Sequence, residues 1–221
     1  MPDTRSTPFG GFAGTRAGVS TAQLLGQVMF LVALAIGFLV LGSYVGRDLA
    51  FGTARICSFA GFGMLLVASF AGRTFRVGPV AMAWLFGTAL MIGLGLGPVL
   101  AYYASADSAA LTQAAGTTAL FVLAAGAGGF ALSKDLSAWM RPLSMVVFGL
   151  VIVSLVMVLF GSGGNPILSL AIGGISAVLI VVDFNYLRKH GQEDDAIWLA
   201  TGIFVSIVNI FLSLLNLFSN R

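Results

Sequence analysis

Seven runs of about twenty apolar residues, parted by short polar breaks, dominate the chain, and each is long enough to cross a bilayer as a helix. They span Ala22–Val45, Phe51–Ala71, Pro79–Tyr103, Ala110–Leu132, Pro142–Phe160, Ile167–Leu187 and Ala196–Phe218. The first run is too long for the apolar core of a signal peptide, and no small-x-small cleavage site follows it, so it is expected to remain in the protein. Residues 1–21 are polar, rich in Gly, Ser and Thr, and lack helical periodicity, which predicts a flexible tail ahead of the bundle. The expected organisation is therefore all-α integral membrane: a tail over residues 1–21 and a seven-helix transmembrane domain over 22–218.

Composition leads to the same class. Of 221 residues 58% are hydrophobic and only 9% are charged. A water-facing domain carries about 25% charged residues, so the lipid bilayer must be the main solvent. The formal net charge of +3 comes from scattered single cations, which gives no nucleic-acid signature. One cysteine excludes an intrachain disulfide, and one histidine excludes a His-based metal cluster. No cofactor is indicated.

Charge also orients the spans. Arg5, Arg16, Arg73, Arg76, Lys134, Arg141, Arg188 and Lys189 fall on one side, and Arg47, Arg55 and Arg221 on the other. The positive-inside rule then places the N-terminus in the cytoplasm and the C-terminus outside.

Polar residues inside the spans carry the functional signal. Asp183 lies near the end of the sixth run, where a carboxylate costs roughly 2.5–3.5 kcal/mol at a helix centre and somewhat less near an end. Ser169, Ser176 and Asp183 recur every seventh residue, on one helix face. Ser206, Asn209, Ser213 and Asn216 do the same in the seventh run, so both stripes are expected to face the bundle interior or a wet cavity. Two readings stand: interhelical hydrogen bonding, or a hydrated ion path with a proton-sensitive site. For Asp183 the alternatives are a salt bridge to Arg188, Lys189, Arg73, Arg76, Lys134 or Arg141, or a carboxyl that titrates in the physiological range as a pH sensor.

Other motifs reduce to structure. Gly93-Leu94-Gly95-Leu96-Gly97-Pro98 lies inside a span with no strand before it, so it predicts close helix packing and a proline bend rather than a nucleotide loop. Glu193, Asp194 and Asp195 precede the seventh helix, where acids complement the helix dipole. Ser162 and His190 lie at opposite membrane faces, about 30 Å apart, so no serine-protease pair is available. No enzyme is expected.

Four stretches together resemble the Bax inhibitor-1 (TMBIM) family: Gly95–Leu100, Ser133-Lys134-Asp135-Leu136-Ser137, Asp183, and Asn209–Leu215. The resemblance covers nearly the whole chain after the tail. It implies a bundle whose last helix is central, wrapped by the other six, and in ion-leak members Ca²⁺ flux under two aspartates that share protons. Asp183 matches the first of these, but Ser206 stands at the second, so a coupled acid pair is not expected. The Val-Ser-x-x-Asn-Ile-Phe pattern over Val205–Phe211 is similar to the bacterial YccA-like branch. That branch implies an inner-membrane modulator and slow substrate of an FtsH-type membrane protease, gripped by its tail. The alternative the family implies is a pH-sensitive Ca²⁺ or cation leak, with H⁺ as effector and an incomplete acid sensor.

Overall fold

The computed structural model describes residues 20–70, 72–160 and 165–219. Seven long helices account for nearly all of it: α1 Thr21–Val45, α2 Phe51–Phe70, α3 Pro79–Ala106, α4 Ser108–Ala131, α5 Ser137–Leu159, α6 Pro166–His190 and α7 Ala196–Ser219. All seven are long and apolar enough to cross a membrane. The expected tail falls mostly on residues 1–19, outside the described residues. Ser20 and Thr21, read as tail, belong instead to the start of α1. The Gln23 N–H donates to Ser20 Oγ at 3.2 Å and the Ser20 N–H donates to Gln23 Oε1 at 3.0 Å, a reciprocal cap.

Local chemistry sets the other boundaries. Asp107 alone joins α3 to α4, and its carboxylate accepts the Ala110 N–H at 3.0 Å. Asn165 Oδ1 accepts the N–H groups of Ile167 and Leu168 at the start of α6. The fifth helix begins at Ser137 rather than Pro142, because its first turn, though polar, is capped by Asp135. Pro142 and Pro98 both lie within their helices without ending them.

Alternating helices put the 72–78, 132–136 and 191–195 connections at one end, here termed the basic end, with the 46–50 connection and Asp107 at the far end. The core collects on α7, the most buried helix. It packs against α6, α4 and α1, and more lightly against α3, while α2 leans mainly on α3 and α5 mainly on α6. The last helix is thus central, enclosed chiefly by four neighbours. Leu24, Val28 and Ala35 of α1, Leu85 of α3, Ile180 and Leu187 of α6 and Leu199, Ile203 and Phe204 of α7 form the interior.

The glycine run in α3 behaves as a packing device. Gly93 and Gly97, four residues apart, lie against the backbone of α1 at Leu39 and of the turn just after it at Gly46–Arg47, while Gly95 lies against Ala54 and Ser58 of α2. A Cβ on Gly97 would stand 2.6 Å from the Gly46 carbonyl oxygen, and one on Gly46 would stand 2.8 Å from Leu94 Cα. Helices can approach so closely only where at least one of them lacks a side chain at the contact.

Candidate functional site

The seam between α6 and α7 brings the two polar stripes together. Gly173 of α6 abuts Ser213 of α7, so that a Cβ on Gly173 would lie 2.8 Å from Ser213 Cβ. Ten residues further along α6, Asp183 meets Gly202, where an added Cβ would lie 3.4 Å from Oδ2. Between these two points an antiparallel register puts Ser176 level with Asn209. Ser176, Asp183, Ser206 and Ser213 are buried, whereas Asn209 and Asn216 are half-buried.

Asp183 has only 6% of its surface exposed. Because α6 continues to His190, the carboxyl lies seven residues, or about 10 Å of helix rise, inside the helix end rather than four. Among the described residues, no cation and no hydrogen-bond donor meets it. Directly across stands Gly202, one turn before Ser206, and Gly202 is itself exposed. Ser176 Oγ and Asn209 Nδ2 are also enclosed without a partner among the described residues. Such groups are costly unless water or an ion reaches them.

Of the cations expected to pair with Asp183, Arg188 and Lys189 are used elsewhere. Arg188 donates to the Leu132 carbonyl at 2.5 Å, and Lys189 donates to the Ser133 carbonyl. His190 Nε2 lies 2.6 Å from Asp135 Oδ2, and both side chains are about half exposed. These groups hold the segment that follows α4 against the end of α6: Arg188 and Lys189 by the carbonyls of Leu132 and Ser133, and His190 by the Asp135 carboxylate. Asp135 also accepts the Ser137 N–H at 2.9 Å. That bond first, and His190 second, hold its carboxyl below the usual range, at about 2.

Asn185, which lies outside both polar stripes, completes this clamp. Fully buried, it accepts the Leu136 N–H at 2.9 Å and donates to the carbonyls of Gly129, Leu132 and Lys134 at 3.1–3.2 Å. Two positions beyond Asp183, it points to the opposite side of α6, toward α4. The acids before α7 act as expected in one case: Asp195 Oδ2 accepts the Gln192 N–H at 3.0 Å. Ser162 lies outside the described residues. Among those described, no group of three or more His, Cys, Asp or Glu side chains is arranged to hold a metal.

A seven-helix membrane bundle with a polar seam on its central helix, holding one buried acid, defines the class. The family described as "Inhibitor of apoptosis-promoting Bax1" (Bax1-I) matches residues 21–221. The chain belongs to this Bax inhibitor-1 family. It is 34% identical over 155 residues to an uncharacterized protein of Deinococcus radiodurans, covering 64% of each chain. It is 29% identical over 142 residues to an uncharacterized membrane protein of Vibrio cholerae serotype O1, covering 62% of each. The matched regions thus span a little under two thirds of these relatives.

Proposed function

We propose that the protein is a pH-responsive cation leak of the Bax inhibitor-1 family, with Asp183 as the responsive group and the α7 stripe of Ser206, Asn209, Ser213 and Asn216 beside the path. One observation carries this reading: Asp183 is buried against Gly202, with neither a cation nor a donor beside it among the described residues. A charge so placed needs a proton or an ion from outside the chain. A purely structural acid would have been given one of the nearby arginines or lysines. The activity is not enzymatic. The charge distribution supports insertion in a bacterial inner membrane with the N-terminus in the cytoplasm, which makes the basic end the cytoplasmic one. The test is planar-bilayer conductance of the purified protein between pH 5.5 and 8. Asp183→Asn should remove the pH response, and absence of conductance in both proteins would refute the reading.

A second reading, modulation of an FtsH-type protease, is supported by the likeness of Val205–Phe211 to the YccA branch and by bacterial relatives. On this reading residues 1–21 offer the grip and the close-packed bundle resists extraction. Deleting most of the tail should then slow degradation and relieve inhibition; unchanged kinetics of both would exclude it.

A further inference from the structure

We propose that a groove between α4 and α6, floored by α7, seats one acyl chain of a phospholipid from the leaflet at the far end. The proposal goes beyond the leak reading and stands without it. Two glycines of α4 set the shape of the groove. Near the basic end α4 lies directly on α6: a Cβ on Gly126 would stand 3.3 Å from the Phe184 ring, and Gly129 rests against Val181 and Phe184. Toward the far end α4 packs instead on α7, where Ala110 and Ala114 cluster with Leu215. The two helices therefore part like a V, and the side of α7 shows between them.

The space so left is a cavity of about 110 Å³. Leu170, Gly174 and Ala177 of α6 form one wall, and Phe121 of α4 stands opposite. Ile210, Leu214 and Leu217 of α7 make the floor, and Ser213 is the one hydroxyl among the lining residues. An apolar space of this kind stays dry. Phe121 and Leu170 at its rim are exposed on the lipid-facing surface of a membrane span. The groove is thus continuous with the boundary that the bundle already shares with lipid.

Its dimensions select a thin, flexible occupant. A volume near the ~150 Å³ that holds a benzene ring cannot admit a helix about 10 Å across, which sets aside a helix of a second copy. From Leu170 to Ala177, and from Leu217 to Ile210 on α7, the groove follows both helices for about 10 Å of rise. A zigzag carbon chain advances about 1.2 Å per bond, the pace of an extended backbone, so about eight carbons lie in that length. Leu170 and Ala177 stand about 6 and 16 Å of rise from the start of α6 at Pro166. The groove therefore covers the depth of one leaflet in a hydrocarbon layer of about 30 Å. Apolar burial gains nothing over neighbouring lipid inside a bilayer, so dispersion has to hold the chain. A chain in the groove touches three helices at once, whereas an unfilled gap leaves its lining atoms without partners.

The full-length protein in detergent micelles is titrated with a phosphatidylglycerol carrying a diazirine midway along one acyl chain, irradiated, and mapped by mass spectrometry. Labelling of 170–177 and 210–217 should saturate at one lipid per chain and exceed that of the exposed α5 face over 145–156 by about fivefold. Gly174→Leu, with nothing within 4 Å of its added Cβ, places a side chain at the groove and should lower the labelling about fivefold. Ala177→Leu should do the same from deeper in the wall. Gly149→Leu, equally unobstructed but on α5, should leave it unchanged. Labelling that never saturates, that is equal on α5, or that both groove variants leave intact overturns the proposal. So does disulfide formation between two copies through Gly174→Cys in a Cys57→Ser background, which would seat a second copy there. Conductance enters none of these readouts, so the groove and the leak stand or fall separately.

Discussion

Replacing Asn185 tests how the bundle's basic end is held. Its carboxamide satisfies four backbone groups: the Leu136 N–H and the carbonyls of Gly129, Leu132 and Lys134. Two amide hydrogens serve three carbonyls, so one bond is shared and the set counts as about three. At about 0.5–1.5 kcal/mol each, these total roughly 1.5–4.5 kcal/mol. Leu132 and Lys134 are exposed residues whose carbonyls water can reach once the amide is gone. The Gly129 carbonyl, within α4 and against α6, cannot recover so easily. Asn185→Leu should therefore destabilise by about 2–3 kcal/mol, although it refills the volume. Asn185→Asp keeps the acceptor for Leu136 but turns an acceptor toward three carbonyls, and should cost at least as much. Thermal unfolding in detergent gives the stability, and hydrogen exchange over residues 129–136 locates the damage. If Asn185→Leu lies within about 0.5 kcal/mol of the parent, packing rather than hydrogen bonding holds this turn, and the clamp is refuted.

Other perturbations separate the remaining forces. Gly97→Ala should destabilise by about 1–3 kcal/mol, since its carbon meets backbone at Gly46 and Arg47 that cannot rotate away. Gly26→Ala, with nothing within 4 Å, should be neutral or stabilising by up to about 1 kcal/mol in the same melts. Asp135, held at about 2, binds its proton more weakly folded than unfolded. Its contribution is therefore complete above the ordinary carboxylate value near 4, and disappears as pH falls through about 2. Melts of Asp135→Asn should accordingly lie below the parent at pH 7 and converge with it at about pH 2; a constant difference would contradict this. Gly202→Leu should displace the Asp183 carboxyl and abolish pH-dependent conductance while leaving α6–α7 helicity by circular dichroism unchanged.

The seven spans were legible because apolar length is the strongest demand a bilayer makes. Hydropathy failed at the start of α5, where Ser137-Ala138-Trp139-Met140-Arg141 is too polar to register as a span yet is capped as a helix. Seven-residue spacing found Ser176 and Asp183, since repetition marks a face, and the glycine-rich run Gly93–Pro98 pointed to close helix packing. Asn185 repeats nothing. Only its polarity within an apolar run could have flagged it, and its partners, carbonyls some fifty residues away, leave no side-chain signature. For the same reason Arg188 and Lys189 looked available to Asp183. Their partners are main-chain carbonyls of the segment after α4, Leu132 and Ser133, which no side-chain pattern announces.

The face-to-face arrangement of the two polar stripes is open to direct measurement in native membranes. With Cys57 replaced by Ser, cysteines at 173 and 213 are oxidised with a mild catalyst, and a pair at 128 and 213 serves as control, because Gly128 has no neighbour within 4 Å. Rapid, near-complete 173–213 cross-linking with an unlinked control is the expected result. A 173–213 pair that stays reduced while both cysteines react with lipid-soluble thiol reagents would mean that these faces look out into the acyl chains, and the seam would not exist.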